Sequence, residues 1–162
     1  MKKRIYLSLG ANLGDRLVNL RNAIAGLREL GELVAQSSIY ETEPVDVEHA
    51  QPWFLNCAVA IDTELSPREV LDKILSMELA MGRVRVQKRG PRPVDIDIIL
   101  FGNEVIDLPG LTVPHPAMQS RRFVLVPLAE IAPFAIHPLL RKSVRELLNS
   151  LPKSTGEVRK IG

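Results

Sequence analysis

Cysteine and aromatic residues are scarce in this sequence. Its 162 residues include one cysteine, Cys57, and aromatic side chains make up only 4% of the chain. A single cysteine cannot form an internal disulfide, so we expect a protein of the reducing cytoplasm. Cys57 lies inside the apolar run of residues 55–61. We therefore interpret it as a core residue rather than a reactive thiol.

Long apolar runs and nucleotide-binding glycine loops are also missing. No run approaches the ~20 apolar residues that span a bilayer, and residues 1–10 do not resemble a signal peptide, so we expect no membrane partner. The pattern Gly-x-x-x-x-Gly-Lys-Ser/Thr does not occur, which excludes a P-loop kinase. Residues 10–14 are not a dinucleotide fingerprint, and we interpret them as a strand-to-helix turn.

Charge is nearly balanced overall but unevenly distributed. The formal net charge is +2, from 21 basic and 19 acidic residues. Within residues 83–92 there is no acid, and the five basic residues are Arg83, Arg85, Lys88, Arg89 and Arg92. This pattern predicts a local binding site for an anion rather than a generally basic protein.

The chain has the length and composition of one globular domain, and we treat residues 1–162 as a single unit. Hydrophobic periodicity and capping residues predict the elements in chain order. Strands are predicted at 4–9, 32–42, 54–63 and 94–101, with a short one near 105. Helices are predicted at 15–31, 66–82, 127–131 and from 143, and an irregular loop at 43–53, whereas residues 123–126 fit either a strand or a helix. The order predicts an α+β, ferredoxin-like fold, with an antiparallel sheet flanked by helices in three layers.

Two aspartates within the strand predicted at 94–101 are the clearest candidates for metal ligands. Residues two apart in a strand share a face, so Asp95 and Asp97 should project together, opposite the apolar side chains Val94, Ile96, Ile98 and Leu100. Like charges placed in this way repel each other, and a divalent cation relieves the repulsion. Carboxylates combined with phosphate oxygens suit Mg²⁺. The alternative is a pair of solvated acids that pair with nearby arginines.

The basic residues 83–92 lead directly into this acidic pair. Arginine forks match phosphate oxygens, and a metal beside them is what a polyphosphate with bound Mg²⁺ requires. A solvated basic loop or a contact with a nucleic-acid backbone would explain the same run of charges. Glu78 lies at the edge of the apolar stripe of the second helix, where a carboxylate is half in the core unless it faces a cavity.

Several segments together resemble one enzyme family. Residues 88–99 (KRGPRPVDIDII) closely resemble the signature of the 6-hydroxymethyl-7,8-dihydropterin pyrophosphokinases. Further segments match the family in order and spacing: 8–15 (SLGANLGD), 37–42, 54–56 (FLN), 100–103 (LFGN) and 113–116 (VPHP). The resemblance spans nearly the whole chain. It implies a ferredoxin-like fold and transfer of the terminal two phosphates of ATP, as a unit, to the pterin hydroxymethyl oxygen in folate biosynthesis.

The resemblance also implies roles for individual residues. Asp95 and Asp97 match the ligands of two Mg²⁺ ions, and Arg83 and Arg92 match arginines that bind and transfer the pyrophosphoryl group. Our hypothesis is that Asp97, or a water on its metal, accepts the proton. Positions that match the nucleotide site are Glu78, Arg83, Arg85, Arg92, Ile98, Thr112, His115 and Arg121. Positions that match the pterin site are Thr42, Glu43, Pro44, Val45, Phe54, Asn56 and Phe123. Among these, Phe54 and Phe123 match an aromatic pair around the ring, and Asn56 matches an amide partner at its edge.

Two other classes of function fit the same elements. A nucleic-acid binder on this fold would need aromatics interleaved with basic residues, whereas this chain has few aromatics and its acidic pair would repel phosphate without a metal. A non-catalytic binding module is disfavoured because the acidic pair and both arginines are present. The expected partners are therefore ATP and the hydroxymethyl dihydropterin, with no nucleic acid, and we expect a monomer.

Overall fold

The structure, a computed structural model, describes residues 1–44, 52–82, 93–152 and 156–161. The strands in these ranges are β1 (Lys3–Ala11), β2 (Glu32–Gln36), β3 (Ile39–Thr42), β4 (Phe54–Thr63), β5 (Asp95–Phe101), β6 (Ile106–Leu108), β7 (Leu111–Val113) and β8 (Val158–Ile161). The helices are α1 (Arg16–Gly26), α2 (Pro67–Ala80), α3 (Arg122–Ile131) and α4 (Val144–Ser150). Short 3₁₀ turns follow α1 at Leu27–Glu29 and precede α3 at Met118–Ser120.

An antiparallel sheet forms the middle of the molecule. Its strands lie in the order β5–β1–β4–β3–β8, and β2 pairs with the far end of β4. The strands β6 and β7 form a separate hairpin. The predicted α+β fold with an antiparallel sheet is confirmed.

Helices cover both faces of this sheet, which confirms the three predicted layers. On one face, α1 and α2 pack on apolar side chains that include Leu9, Cys57 and Ile98. On the other face, α3 and α4 pack on a second cluster that includes Ile99 and Leu100. Cys57 is fully buried, and burial raises the pKa of its thiol to about 12, so it is a core residue as predicted. No helix in the described ranges combines the length and the apolar character needed to cross a membrane.

The predicted capping residues begin the helices. Ser66 accepts a hydrogen bond from the backbone N–H of Glu69, whose side chain accepts one from the N–H of Ser66. The same reciprocal pair, between Ser143 and Glu146, begins α4. These capping boxes satisfy donors that the first turn of a helix leaves unpaired.

The single long strand predicted at 32–42 is wrong, because the chain forms two strands with a break at Ser37 and Ser38. The Ser37 N–H donates to the Ala58 carbonyl oxygen, and its hydroxyl accepts from the Ala58 N–H. The Ser38 N–H and hydroxyl donate to the Glu130 carboxylate at 2.9 and 3.0 Å. Serine side chains that bond nearby backbone offer the chain an alternative to the regular ladder. The helix predicted at 127–131 begins earlier, at Arg122.

The alternation predicted for β5 holds only up to Ile98. Leu7 of β1 pairs with Ile98 and Tyr6 pairs with Leu100, so Ile99 is an extra residue that forms a bulge. Beyond it the side chains change faces, and Leu100 belongs to the cluster under α3 and α4. The expectation that Leu100 shares the face of Val94, Ile96 and Ile98 is therefore wrong.

Candidate active site

Asp95 and Asp97 lie near the start of β5, on the face of the sheet that carries α3 and α4. Both are partly exposed, whereas Ile96 between them is buried in the opposite cluster. Across the ladder to β1, Asp95 faces Gly10 and Asp97 faces Ser8. The alternation of the strand therefore places both carboxylates on one face, as the spacing predicted.

Glu78 reaches from α2 to the outer edge of the same strand. It is only 3% exposed, and its Oε2 accepts a hydrogen bond of 2.8 Å from the backbone N–H of Ile96. Because β5 is the outermost strand of the described sheet on this side, that N–H has no strand partner. Glu78 thus fixes the backbone between the two aspartates, which accounts for an acid at the edge of an apolar stripe.

The described residues that are predicted to surround a nucleotide differ in exposure. The side chain of Ile98 is buried in the core, so only its backbone atoms could contact a nucleotide. Thr112 is exposed on the β6–β7 hairpin, opposite Asp107. The backbone N–H of His115 donates to the Ile99 carbonyl oxygen at 3.0 Å, which attaches this segment to β5.

His115 is electrostatically coupled to both a cation and an anion of the site. Burial and the positive charge of Arg121 together lower its pKa to about 4, against the opposing effect of the negative charge of Asp95. Its Nδ1 accepts a hydrogen bond of 3.2 Å from the Ala117 N–H. At neutral pH the imidazole is therefore uncharged, and Arg121 supplies the positive charge beside it.

Asn56 is a buried polar residue near the start of β4. Its Nδ2 donates to the Leu9 carbonyl oxygen at 3.2 Å, and its Oδ1 accepts from the Thr42 hydroxyl. Both Asn56 and Thr42 are almost fully buried. These bonds fix the orientation of the amide, which has two N–H donors and two oxygen lone pairs and so has capacity beyond them for the edge of a heteroaromatic ring.

Gly10 lies between Asn56 and Asp95 and, having no side chain, leaves the space above it to the Asn56 amide and the Phe54 ring. It lies opposite Asn56 in β4 and opposite Asp95 in β5, so the three residues form one row across the sheet. A Cβ at Gly10 would lie 2.6 Å from Nδ2 of Asn56 and 3.3 Å from Cδ1 of Phe54. The turn predicted at residues 10–14 is therefore wrong at Gly10, which lies inside β1. A glycine inside a strand is the signal that indicates such a close approach.

Two aromatic side chains lie on this face. Phe54 begins β4 and leans over Gly10, whereas Phe123 lies in the first turn of α3 and packs against the second cluster. The Arg121 guanidinium lies 5.4 Å from the centroid of the Phe123 ring. The structure thus brings both predicted ring partners to the side that carries the acidic pair.

The remaining predicted residues lie at or beyond the limits of the described ranges. Thr42 ends β3, Glu43 donates its backbone N–H to the Glu157 carbonyl oxygen at 3.0 Å, and Pro44 is the last described residue before the segment 45–51. The predicted site residues that lie outside the described residues are Val45, Arg83, Arg85 and Arg92.

The donor set indicates which metal the acidic pair could hold. Among the described residues, no three His, Cys, Asp or Glu side chains are grouped to hold an ion by themselves. Asp95 and Asp97 therefore offer two hard oxygen ligands, and the other ligands would have to come from a substrate and water. That combination fits Mg²⁺, which is usually bound by one or two carboxylates together with substrate phosphates.

Comparison with known proteins identifies the family. The profile described as 7,8-dihydro-6-hydroxymethylpterin-pyrophosphokinase (HPPK) matches residues 6–133. The chain is 44% identical to the 2-amino-4-hydroxy-6-hydroxymethyldihydropteridine pyrophosphokinase of Methylorubrum extorquens, over 93% of this chain and 95% of that protein. It is 47% identical to the protein of the same name from Bacillus subtilis, over 81% and 79%.

Solved structures agree on the fold. A crystal structure of an HPPK-DHPS in complex with substrates superposes with a TM-score of 0.72 at 17% identity, over 93% of this chain and 43% of that one. The structure of wild-type Plasmodium falciparum HPPK-DHPS with SDX-DHP superposes with a TM-score of 0.74 at 17% identity, over 92% of this chain and 44% of that one. The present chain thus spans less than half of these two-part proteins. The sequence relatives and the shared fold show that it belongs to the 7,8-dihydro-6-hydroxymethylpterin-pyrophosphokinase family of folate-biosynthesis enzymes.

Proposed function

We propose that this chain transfers the pyrophosphoryl group of Mg·ATP to the hydroxymethyl oxygen of 6-hydroxymethyl-7,8-dihydropterin, between Asn56 and the pair Asp95 and Asp97. The observation that carries the proposal is the row Asp95–Gly10–Asn56 across three adjacent strands. Strands lie about 4.8 Å apart, so the backbones of the two polar residues lie about two strand spacings apart, with Gly10, which has no side chain, between them. A pterin edge at Asn56 and a metal-bound phosphate at Asp95 can meet over Gly10.

The pterin end of this row suits a flat ring with donors and acceptors along its edge. Asn56 presents a fixed amide, Thr42 holds that amide from β3, and Phe54 offers a ring face beside Gly10. We assign the second ring face to Phe123. Glu43, Pro44 and Val45 follow Thr42 and are proposed to complete the edge contacts.

The nucleotide end combines the acidic pair with positive charge. Asp95 and Asp97 would hold two Mg²⁺ ions, which when bound neutralise phosphate charge and orient the triphosphate. Arg121 adds a cation beside the neutral His115. Arg83, Arg85 and Arg92 are proposed as further phosphate ligands, and Glu78, Ile98 and Thr112 as the surroundings of the nucleotide.

The reaction needs placement and charge neutralisation more than a strong base. The hydroxymethyl oxygen attacks the β-phosphorus of ATP, the bond from that phosphorus to the α,β-bridging oxygen breaks, and AMP leaves. In a loose transition state the hydroxyl proton leaves late, so a weak acceptor suffices. We assign that proton to Asp97 or to a water molecule beside it.

The proposal extends to the oligomeric state, the compartment and the partners of the enzyme. We propose a monomer of the cytoplasm that acts on small molecules and on no nucleic acid. The buried, solitary Cys57 and the near-neutral net charge of +2 support this.

Measuring AMP release from Mg·ATP, with and without 6-hydroxymethyl-7,8-dihydropterin, tests the reaction. We expect AMP and the pterin diphosphate in equal amounts, only when both substrates and Mg²⁺ are present. Release of ADP would indicate transfer of a single phosphate, and AMP formed without the pterin would indicate hydrolysis. Either result would contradict the proposed transfer.

A further inference from the structure

The carboxyl-terminal strand contacts the residues next to the proposed pterin site. β8 pairs with β3 so that Arg159 lies opposite Glu41 and Val158 lies opposite Thr42. Thr42 in turn pairs with Phe54 on β4. The last described strand is therefore one ladder away from Thr42 and two ladders away from Phe54, both of which we assign to the pterin.

Four side chains form a closed set of contacts at this end of the sheet, and we call it the Arg159 cluster: Arg16, Glu41, Trp53 and Arg159. Arg159 donates to Oε1 of Glu41 at 2.9 Å, and its guanidinium lies 4.8 Å from the centroid of the Trp53 ring. Arg16 donates to the other Glu41 oxygen at 3.0 Å and to the Trp53 carbonyl oxygen at 2.7 Å. Trp53 is thus held through both its ring and its backbone.

Hydrogen bonds next to the Arg159 cluster hold residues on both sides of the segment 45–51. On the near side, Glu43 exchanges two hydrogen bonds with Glu157: its N–H donates to the Glu157 carbonyl oxygen at 3.0 Å, and its carboxylate accepts from the Glu157 N–H at 3.2 Å. On the far side, Asn12 donates to the Pro52 carbonyl oxygen at 3.2 Å, next to Trp53. Glu157, which directly precedes β8, takes part in the first attachment, and Asn12, which directly follows β1, takes part in the second.

We propose that Arg159 is a positioning residue for pterin binding, and that it acts through Trp53 and Glu41 on their chain neighbours Phe54 and Thr42. This inference rests on the proposed function. Arg159 itself lies on an exposed edge, with 56% of its side chain accessible, so its effect reaches the ligand through the residues that it orients. A planar guanidinium can stack on an indole and pair with a carboxylate at the same time, which an ammonium group cannot do equally well.

The effect should be specific to the pterin. The acidic pair lies on β5, at the opposite edge of the strand order β5–β1–β4–β3–β8. Loss of Arg159 should therefore weaken pterin binding without changing the binding of Mg·ATP. An exposed ion pair together with an exposed cation–π contact corresponds to a change of roughly three- to tenfold in affinity.

The test compares Arg159→Ala and Arg159→Lys with Lys160→Ala, the neighbouring cation on the same strand. Calorimetry measures pterin binding with Mg²⁺ and a non-hydrolysable ATP analogue present, so the result does not depend on turnover. We expect weaker pterin binding in Arg159→Ala, a smaller loss in Arg159→Lys, and no change in Lys160→Ala. Trp53 is the only tryptophan. Its emission should therefore change in the Arg159 variants and not in the control.

The possible failures are distinguishable. If the unmodified chain binds no pterin, the proposed function itself is wrong. If it binds the pterin and Arg159→Ala binds it equally well, the positioning role alone is overturned. If Arg159→Ala weakens binding of the ATP analogue as much as binding of the pterin, the substitution causes a general loss of structure, and the positioning role is again overturned.

Discussion

Replacing Gly10 by alanine would place one methyl group between the proposed pterin and phosphate positions. That carbon would start 2.6 Å from Nδ2 of Asn56 and 3.3 Å from Cδ1 of Phe54. The Asn56 amide would have to move by about 1 Å to reach an ordinary contact distance. Its bond to the Leu9 carbonyl oxygen is already 3.2 Å long, so a shift of that size would break it.

The expected cost follows from this displacement. Forcing an extra methyl into a packed site typically costs about 1–3 kcal/mol of unfolding free energy. A reacting group misplaced by about 1 Å can lose on the order of 100-fold in rate. We therefore expect Gly10→Ala to remain folded and to lose about 100-fold in kcat/KM for the pterin. Binding of Mg·ATP should change little, because the nearest atoms to the new carbon belong to Asn56 and Phe54.

Pterin-dependent AMP release and denaturant unfolding measure these two effects separately. Gly26→Ala is the matched control, since its new methyl meets only the flexible end of Met77, at 2.8 Å from Cε. That variant should keep normal activity. If Gly10→Ala keeps a kcat/KM within about twofold of the unmodified chain, a shift of the Asn56 amide by about 1 Å does not impair the reaction, and the proposed role of Asn56 is refuted.

Three further predictions concern stability, measured as the free energy of unfolding. Glu78→Ala removes the acceptor of the Ile96 N–H and should cost about 1–3 kcal/mol, whereas Glu78→Gln keeps an oxygen acceptor and should cost less. Arg141 has a φ of 56°, so Arg141→Gly should stabilise by about 0.5–1 kcal/mol. Burial lowers the pKa of His137 in the folded protein. The contribution of neutral His137 to the free energy of unfolding is therefore present above the unfolded pKa of about 6.5, and it is lost as the pH falls through the lower folded pKa.

Each of these predictions has a control and a contradicting result. Equal losses in the two Glu78 variants would mean that the bond to Ile96 does not carry the effect. Arg145→Gly, inside α4, should lower the free energy of unfolding by about 1 kcal/mol. If Arg141→Gly also lowers it, the positive φ of Arg141 does not cost the folded protein any stability. Unfolding of a His137→Asn variant should depend less on pH between about 7 and 5 than unfolding of the unmodified chain.

The elements that short-range signals specify were predictable from sequence. Ser66 with Glu69, and Ser143 with Glu146, mark helix starts within three residues, and the structure forms both capping boxes. The strand predicted at 54–63 has the bounds of β4, because residues 55–61 form an uninterrupted buried run. The spacing of two residues that put Asp95 and Asp97 on one face is equally local.

Features that depend on distant partners were not predictable. The bulge at Ile99 is a property of the pairing with β1, and nothing within β5 marks it. β8 has partly polar, exposed residues and becomes a strand because it pairs with β3, more than a hundred residues earlier. The contact of Arg159 with Trp53 follows from that pairing. Gly10 was visible as a glycine in an apolar run, but its meaning required the position of Asn56 on the neighbouring strand.

The most direct measurement of the central claim is the Mg²⁺-dependent affinity for a non-hydrolysable ATP analogue, in the unmodified chain and in Asp97→Asn. Asp72→Asn, which changes an exposed carboxylate on α2, is the control. We predict that Mg²⁺ increases the affinity of the unmodified chain and of the control for the analogue. In Asp97→Asn this increase should be smaller by a factor of at least about ten. An Asp97→Asn enzyme that binds the Mg²⁺–nucleotide complex as tightly as the unmodified chain would contradict the assignment of the aspartate pair.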